Sequence, residues 1–578
     1  MNLELFPRER EYETSQLIPY LGNKRALVPK LRGLFRALTE GRSQPVFLDP
    51  FAGAGSVSRL ARTLGMRVKS NDWEPYAYAL NRAWLVLGRS DLERLFPGDG
   101  GLDTVLDRLN SFHPSRENRS PDPEPEPYMA RWYAPRDTAR ADWRTERLFY
   151  TRENALFLDR VRECVEREYP ANPSVDPESQ AARRRDLLLA LLILEAAVHA
   201  NTSGVFKAFH KGFGGHGRDA LPRILGAMEL EFPILPEAES AEVFREDAEV
   251  FVRRWSADLA YLDPPYNQHQ YGSNYHLLNT LVRWDRNPVP LDIGLDGRLL
   301  RKAGIPGAWN VTRSPYCSRS TARDALVRLV DGLDVRSAVF SYNTEGIVSP
   351  EELYGQLSER WEVRTEVLDY VRYRGGRQSA SRLVRNHELA YVCEPRKTPR
   401  SGVSGSELSR LTSELRLRRL LSSRFDPRKI LRRFETEGDT VDFGKPIGAL
   451  RMWRFYRFEE LAPGFEATSH KALASLSDRL EACEVQDNAR AVAVLTGIAR
   501  ECATRWTAAD RSDARQAVLE GLSALRKLAH PRYVREYEEA EKELTALAVD
   551  FPFLRTRLEP GLGRLREQRT ERLRHSKG

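Results

Sequence analysis

The sequence predicts an α/β fold: a mostly parallel sheet with helices on both faces, a largely helical insertion, and a helical C-terminal domain. Three observations predict it. Short apolar runs bounded by turn residues recur at 44–49 (QPVFLD), 66–70 (MRVKS), 257–262 (ADLAYL), 336–341 (RSAVFS) and 388–392 (ELAYV). Segments of helical period lie between them, as parallel pairing requires. From Leu408 onward, Leu, Arg, Glu and Ala at helical spacing take over.

The elements follow in order. The strand at 44–49 is short, apolar and ended by Asp49, the mark of a buried strand closed by a turn. FAGAGS follows, then a helical pattern over 56–64, and the next strand ends at Asn71-Asp72. Between Asp72 and Ala257 the pattern changes. An acidic, proline-rich loop covers 115–127, and long helical stretches include 184–201. The stretch PRKTPRSGVSGSE after Glu394 has the composition of a linker. The expected organisation is therefore 1–87 and 241–395 as two parts of one catalytic domain, and 88–240 as an inserted helical module. Residues 396–407 form a linker, and 408–578 a helical domain with an irregular piece near 436–448.

Composition bounds the function. The 578 residues suggest two to four domains at roughly 150 residues each. Hydrophobic residues make up 41% and charged residues 30%, which is ordinary for a soluble globular chain. No apolar run reaches the roughly 20 residues of a membrane helix; the longest, 187–200, is interrupted by Glu195. The polar N-terminus does not read as a secretory signal. Five cysteines form no Cys-x-x-Cys pair, so neither a zinc knuckle nor a disulfide framework is expected, and a reducing cytoplasmic location fits. No cluster of metal ligands is apparent, and none is expected. The formal charge of +8 favours a phosphate backbone as partner, but many basic proteins bind no nucleic acid.

Two stretches carry chemistry. In Asp49-Pro50-Phe51-Ala52-Gly53-Ala54-Gly55 the glycines allow a tight turn and close approach of a ligand between strand and helix. Ser58 stands where a dinucleotide fingerprint has its third glycine, which argues against a pyrophosphate. Asp72 closes the next strand, where a ribose diol would find an acceptor. S-adenosylmethionine fits: its ribose for Asp72, its ammonium for Asp49. A plain glycine turn of any α/β protein reads equally well from this loop alone.

The second stretch is Asp263-Pro264-Pro265-Tyr266. Two prolines at a strand end remove two N–H donors and fix φ, so the chain is rigid and its carbonyls point outward. Asp263 and a neighbouring carbonyl then form a pair of acceptors suited to an exocyclic amine, and Tyr266 offers a flat face to its ring. An aromatic amine is a poor nucleophile. Hydrogen bonds that favour a pyramidal nitrogen free its lone pair, so positioned acceptors and in-line alignment are what catalysis needs. The competing explanation is a proline turn with a capping aspartate.

Together, these motifs resemble the DNA adenine-N6 methyltransferases of the alpha class, Dam-like, in which the cofactor motif precedes the catalytic one and a recognition domain lies between. The resemblance covers about 14–395 and leans towards the methyltransferases of type IIS restriction systems, through 201–206 (NTSGVF), 266–276 and Ser341-Tyr342-Asn343. It implies a Rossmann-like S-adenosylmethionine-dependent methyltransferase sheet with an inserted target-recognition module. It further implies Tyr20, Asn23 and Lys24 of IPYLGNK near the cofactor, Phe51, Gly53 and Gly55 in its loop, and Asp247 near its adenine. The implied activity is transfer of a methyl group to N6 of an adenine flipped out of double-stranded DNA. A cognate restriction or defence protein is the further partner it suggests. Acidic DPPY leans to adenine through the resemblance only. Cytosine N4, RNA adenine, or a non-catalytic DNA-binding subunit that kept the fold are the alternatives.

For DNA contact, Lys207, His210 and Lys211 interleave with phenylalanines on a glycine-rich loop, which suits phosphate contact and stacking. A solvated loop over a buried phenylalanine explains them as well. Arg372, Arg374 and Arg377 form a second basic loop, for which a charged hairpin is an equal reading. His199 and His276 are expected to be structural. The acidic run at 536–543 reads as one charged helix face, not as a nuclease site.

Overall fold

In the computed structural model, VFLD forms strand β1 (Val46–Asp49) inside a seven-stranded sheet. The described residues are 7–116, 127–171, 176–215, 220–237, 241–344, 346–368, 388–395 and 404–576, except 422, 438–439, 445–447, 454–456, 459–468, 486, 506 and 530–532. Arg372, Arg374 and Arg377 lie outside them, as do most of the proline-rich loop and most of the linker. The described residues fall into two compact units, one up to residue 395 and one from residue 404.

The first unit holds β2 (Arg67–Asn71), β3 (Glu242–Phe244), β4 (Ser256–Leu262), β5 (Asp334–Asn343), β6 (Glu362–Leu368) and β7 (Glu388–Glu394). Their order is β3-β2-β1-β4-β5-β7-β6. Neighbours from β3 to β5 pair in parallel, whereas β7 runs antiparallel to both β5 and β6. Central strands buried on both faces need apolar side chains throughout. Phe47, Leu259, Val339 and Val392 accordingly pack with Phe35 and Leu60 from the covering helices. β3 and β6 are additions to the strands expected from sequence.

Residues 88–240 are helical where described, apart from their loops, and share one core with the sheet's helices. The helix Gln180–Val198 is buried on every face from Leu187 to Ala197, where Glu195 is the one polar residue, so it is surrounded. Tyr76, Leu80 and Trp84 after β2, and Tyr275 and Leu281 after β4, belong to the same cluster.

The second unit is mostly helical. Helices Asn488–Arg505, Ala508–Leu528, Val534–Asp550 and Pro552–Ser576 close over a core of Leu495, Leu525, Leu544 and Leu558. The piece read as irregular contains a small antiparallel sheet, with strands at Glu435–Glu437, Thr440–Asp442, Ala449–Trp453 and Arg457–Phe458. Strands of two to five residues leave too little alternation to read.

Candidate active site

The sheet brings three acids to one edge. Leu48 pairs with Ala260, so Asp49 ends β1 beside the end of β4, and Asp263 follows β4 directly. Asp72 follows β2 on the other side of β1. The chain order turns back between β1 and β4, and the carboxyl ends of strands at such a switch point form a crevice. Here the crevice is a cleft of about 920 Å³ including its open mouth.

Asp263 is held from below. The buried Lys24 ammonium stands 3.1 Å from Asp263 Oδ1 and 2.6 Å from Glu388 Oε1. Ser341 Oγ donates to the same Glu388 oxygen at 2.5 Å. Glu388 reaches this end of the sheet because β7 is reversed: its first residue pairs with Asn343, the last of β5. Burial would strip Lys24 of its proton, but Asp263 and then Glu388 outweigh it and hold the ammonium charged. Burial pushes Asp263 up to about 7, against the pull of Lys24. Pro264 is buried while Pro265 and Tyr266 are half-exposed, and the Tyr266 ring lies 5.7 Å from the Lys24 ammonium and edge-on to Tyr342.

The glycine loop forms the adjoining wall. Gly53 takes φ +53°, and a Cβ there would come within 3.0 Å of the Tyr20 ring. Gly55 takes φ +81°, and a Cβ there would meet Asn81 Oδ1 at 2.3 Å. Tyr20 stacks on Tyr275 at 5.0 Å, and the Tyr275 hydroxyl accepts from Leu21 N at 2.8 Å. Asp72 accepts from Gly53 N at 2.8 Å and Glu74 N at 2.9 Å, one bond per carboxylate oxygen. Each oxygen keeps a second acceptor site. Asp49 is buried; its Oδ2 accepts from Ser58 at 2.6 Å, whereas its Oδ1 has no hydrogen-bond partner. Burial raises both Asp49 and Asp72 to about 7. Asn23 caps the turn Lys24–Leu27, Asp247 caps the helix Ala248–Arg254, and Phe51 meets Tyr316 edge-on at 5.3 Å.

Of the residues singled out from sequence, Tyr20, Asn23, Lys24, Asp49, Phe51, Gly53, Asp72, Asp247, Asp263 and Pro265 all line the cleft; Gly55, Pro264 and Tyr266 stand behind or beside it. The lining carries Asp49, Asp72, Glu74, Glu246, Asp247 and Asp263, against Lys24 as the one basic side chain among the described residues. Such a surface attracts a cation and repels a pyrophosphate.

Several lining or supporting residues had not been expected. Glu74 is buried and accepts from Asn279 at 2.6 Å. Asn81 donates to Gly53 O at 3.1 Å and so pins the glycine loop. The signal for Glu388 was available: an acid opening a strand apolar at its next four positions.

The loop of Lys207, His210 and Lys211 hangs on buried Asn201, which donates to Leu148 O and His210 O and accepts from Gly214 N. Phe206 N donates to Asn274 O, and His276 bonds Phe206 O at 3.0 Å. Lys207 and Lys211 are exposed and His210 is half-buried. Buried His276 is pushed down to about 3 by burial, which keeps it neutral. No group of three or more possible metal ligands occurs among the described residues, and none of their helices is long and apolar enough to cross a membrane.

A switch-point cleft with a strand-end acid on each side fits the Rossmann-like sheet expected from the sequence. The D12 class N6 adenine-specific DNA methyltransferase family matches at residues 20–97 and 231–297. Type II methyltransferase M.NlaIII of Neisseria lactamica is 31% identical over 322 residues, 55% of this chain and 80% of that protein. Modification methylase StsI of Streptococcus sanguinis is 28% identical over 342 residues. Type II methyltransferase M.FokI of Planomicrobium okeanokoites is 27% identical over 358 residues. The chain spans 46% and 48% of those two proteins' lengths. This chain belongs to the D12 class N6 adenine-specific DNA methyltransferase family.

Proposed function

We propose that this chain transfers a methyl group from S-adenosylmethionine to N6 of an adenine extruded from double-stranded DNA. It does so at a specific sequence, in the cytoplasm, as the modification partner of a restriction or defence protein. The observation that carries the cofactor is the acid-lined cleft with an orphaned carboxylate oxygen. Asp49 Oδ1 lacks a partner and suits the ammonium, Asp72 keeps acceptor capacity for a ribose diol, and the missing side chain of Gly53 leaves room against Tyr20. When bound, S-adenosylmethionine supplies a methyl made electrophilic by its sulfonium.

The chain's own residues do the rest. Extruding the base costs a few kcal/mol, offset by stacking and hydrogen bonds in the pocket. Tyr266 offers its ring to the purine, and Asp263 Oδ2 accepts a hydrogen from N6. That bond favours a pyramidal nitrogen and turns the lone pair towards the methyl. As the N–C bond forms, the nitrogen sheds a proton, and a carboxylate near 7 is matched to take it at Oδ2. Lys24, fixed by Glu388, keeps the carboxylate in place throughout. Methylation-sensitive sequencing of DNA exposed to the enzyme and S-adenosylmethionine should show N6-methyladenine in one sequence context. Methylation scattered without context, or on cytosine, would contradict this reading.

A further inference from the structure

The cleft is acidic and DNA is a polyanion, so on the function proposed above the duplex must be gripped by cations outside the cleft. One place gathers them. Around half-buried Trp143, Lys211, Lys302 and Arg298 lie 4.4, 5.1 and 5.8 Å from the ring centroid. None of the three has a carboxylate within ion-pair reach among the described residues. Arg144, 5.1 Å from the same ring, is already beside Asp142. Cations gathered around one ring lie within about a Debye length of one another, and a bound anion relieves their mutual repulsion.

The arrangement is built. Fully buried Arg147 donates to the carbonyls of Trp132, Val289, Pro290, Arg301 and Lys302 at 2.9–3.3 Å. It thereby fixes the segment that carries Arg298 and Lys302. Leu299 N donates to Arg144 O at 2.7 Å and ties that segment to the one bearing Trp143. The patch also connects to the cleft. Lys207, four residues before Lys211, lies near Cys317, and the neutral Cys317 thiol donates to His269 O, three residues past Tyr266. Downstream of Lys302 the chain runs on to Thr312, Ser314 and Tyr316, which line the cleft.

We propose that Lys211, Arg298 and Lys302, organised around Trp143, form a seat for backbone phosphates of the duplex flanking the target adenine. The test is the salt dependence of binding of an unmethylated DNA duplex to the full chain. Each phosphate contact contributes about −0.9 to the slope of log K against log salt. The triple variant Lys211→Ala, Arg298→Ala, Lys302→Ala should lose about two to three units of slope, and Lys211→Arg with Lys302→Arg should keep it. Heat of S-adenosylmethionine binding reports that the fold is intact; if the alanine variant loses it, the glutamine triple takes its place. An unchanged slope overturns the seat, as does a loss seen with duplex RNA but not DNA. If the wild type methylates DNA while the slope is unchanged, the seat fails and the proposed activity stands. If the slope falls as expected while no methyl is transferred, the seat stands and the activity fails. If the wild type binds no DNA, both fail.

Discussion

The ammonium of Lys24 stands 3.1 Å from the Asp263 carboxylate, although 239 positions of sequence separate the two residues. With Glu388 at 2.6 Å on its other side, Lys24 is the shared cation of two carboxylates. Removing it leaves two buried acids facing each other. Breaking a buried pair from one side costs about 3–5 kcal/mol. Lys24→Ala should therefore destabilise the folded chain by about that amount, read from chemical denaturation. Glu388→Gln should cost less, since the amide still accepts from both Lys24 and Ser341. A Lys24→Ala variant as stable as the wild type would remove the triad from the explanation.

The three strand-end acids set a pH dependence. Asp49, Asp72 and Asp263 are each raised to about 7 by burial. An unfolded aspartate titrates near about 3.9. Between those values the folded chain binds protons that the unfolded chain has released. Their contribution to stability is thus present in full at low pH and is lost as pH rises through about 7. The cofactor-free protein should gain from these groups on going from pH 8 to pH 5.5. The corresponding unfolding curves would contradict this if Asp49→Asn, Asp72→Asn and Asp263→Asn left the pH profile unchanged.

Cofactor affinity should move the other way. Pairing an ammonium needs Asp49 ionised, so affinity for S-adenosylmethionine should weaken as pH falls below about 7, approaching tenfold per unit. Calorimetry across pH 5.5–8 would show this, and Asp49→Asn should both weaken binding and flatten the profile.

Glycine in the cofactor loop is required at two positions for different reasons. At Gly55 both the left-handed φ of +81° and the 2.3 Å approach to Asn81 Oδ1 oppose a side chain. At Gly53 the φ of +53° is milder and the neighbour is the Tyr20 ring at 3.0 Å. Strained conformations of this kind cost about 1–3 kcal/mol. Gly55→Ala should lower stability by about 1–3 kcal/mol, and Gly53→Ala should act chiefly on cofactor binding. Thermal unfolding and calorimetry on the two variants separate these effects.

Much of this site was legible in the sequence because its parts are local. Each of the strands β1, β2 and β4 is a short buried run that stops on or just before an acid, and a parallel sheet delivers such ends to one edge. The edge strands were not legible: Glu242–Phe244 has three residues, and Glu362–Leu368 alternates charged and apolar positions as a strand with one solvated face does. Glu388 was missed for a topological reason. An acid at the start of a strand belongs to the far edge if the strand is parallel, and only the reversal of β7 carries it to Lys24. The cations around Trp143 come from segments near 144, 211 and 300, and no local pattern joins them.

The most direct measurement is transfer of labelled methyl from S-adenosylmethionine to duplex DNA, followed by digestion to nucleosides and mass spectrometry. The wild type should place the label on N6 of adenine. Asp263→Ala should lose at least the roughly 100- to 1,000-fold of a key electrostatic group while still binding the cofactor. Label on cytosine, or an Asp263→Ala variant with the wild-type rate, would contradict the assignment of Asp263 as the acceptor that prepares the amine.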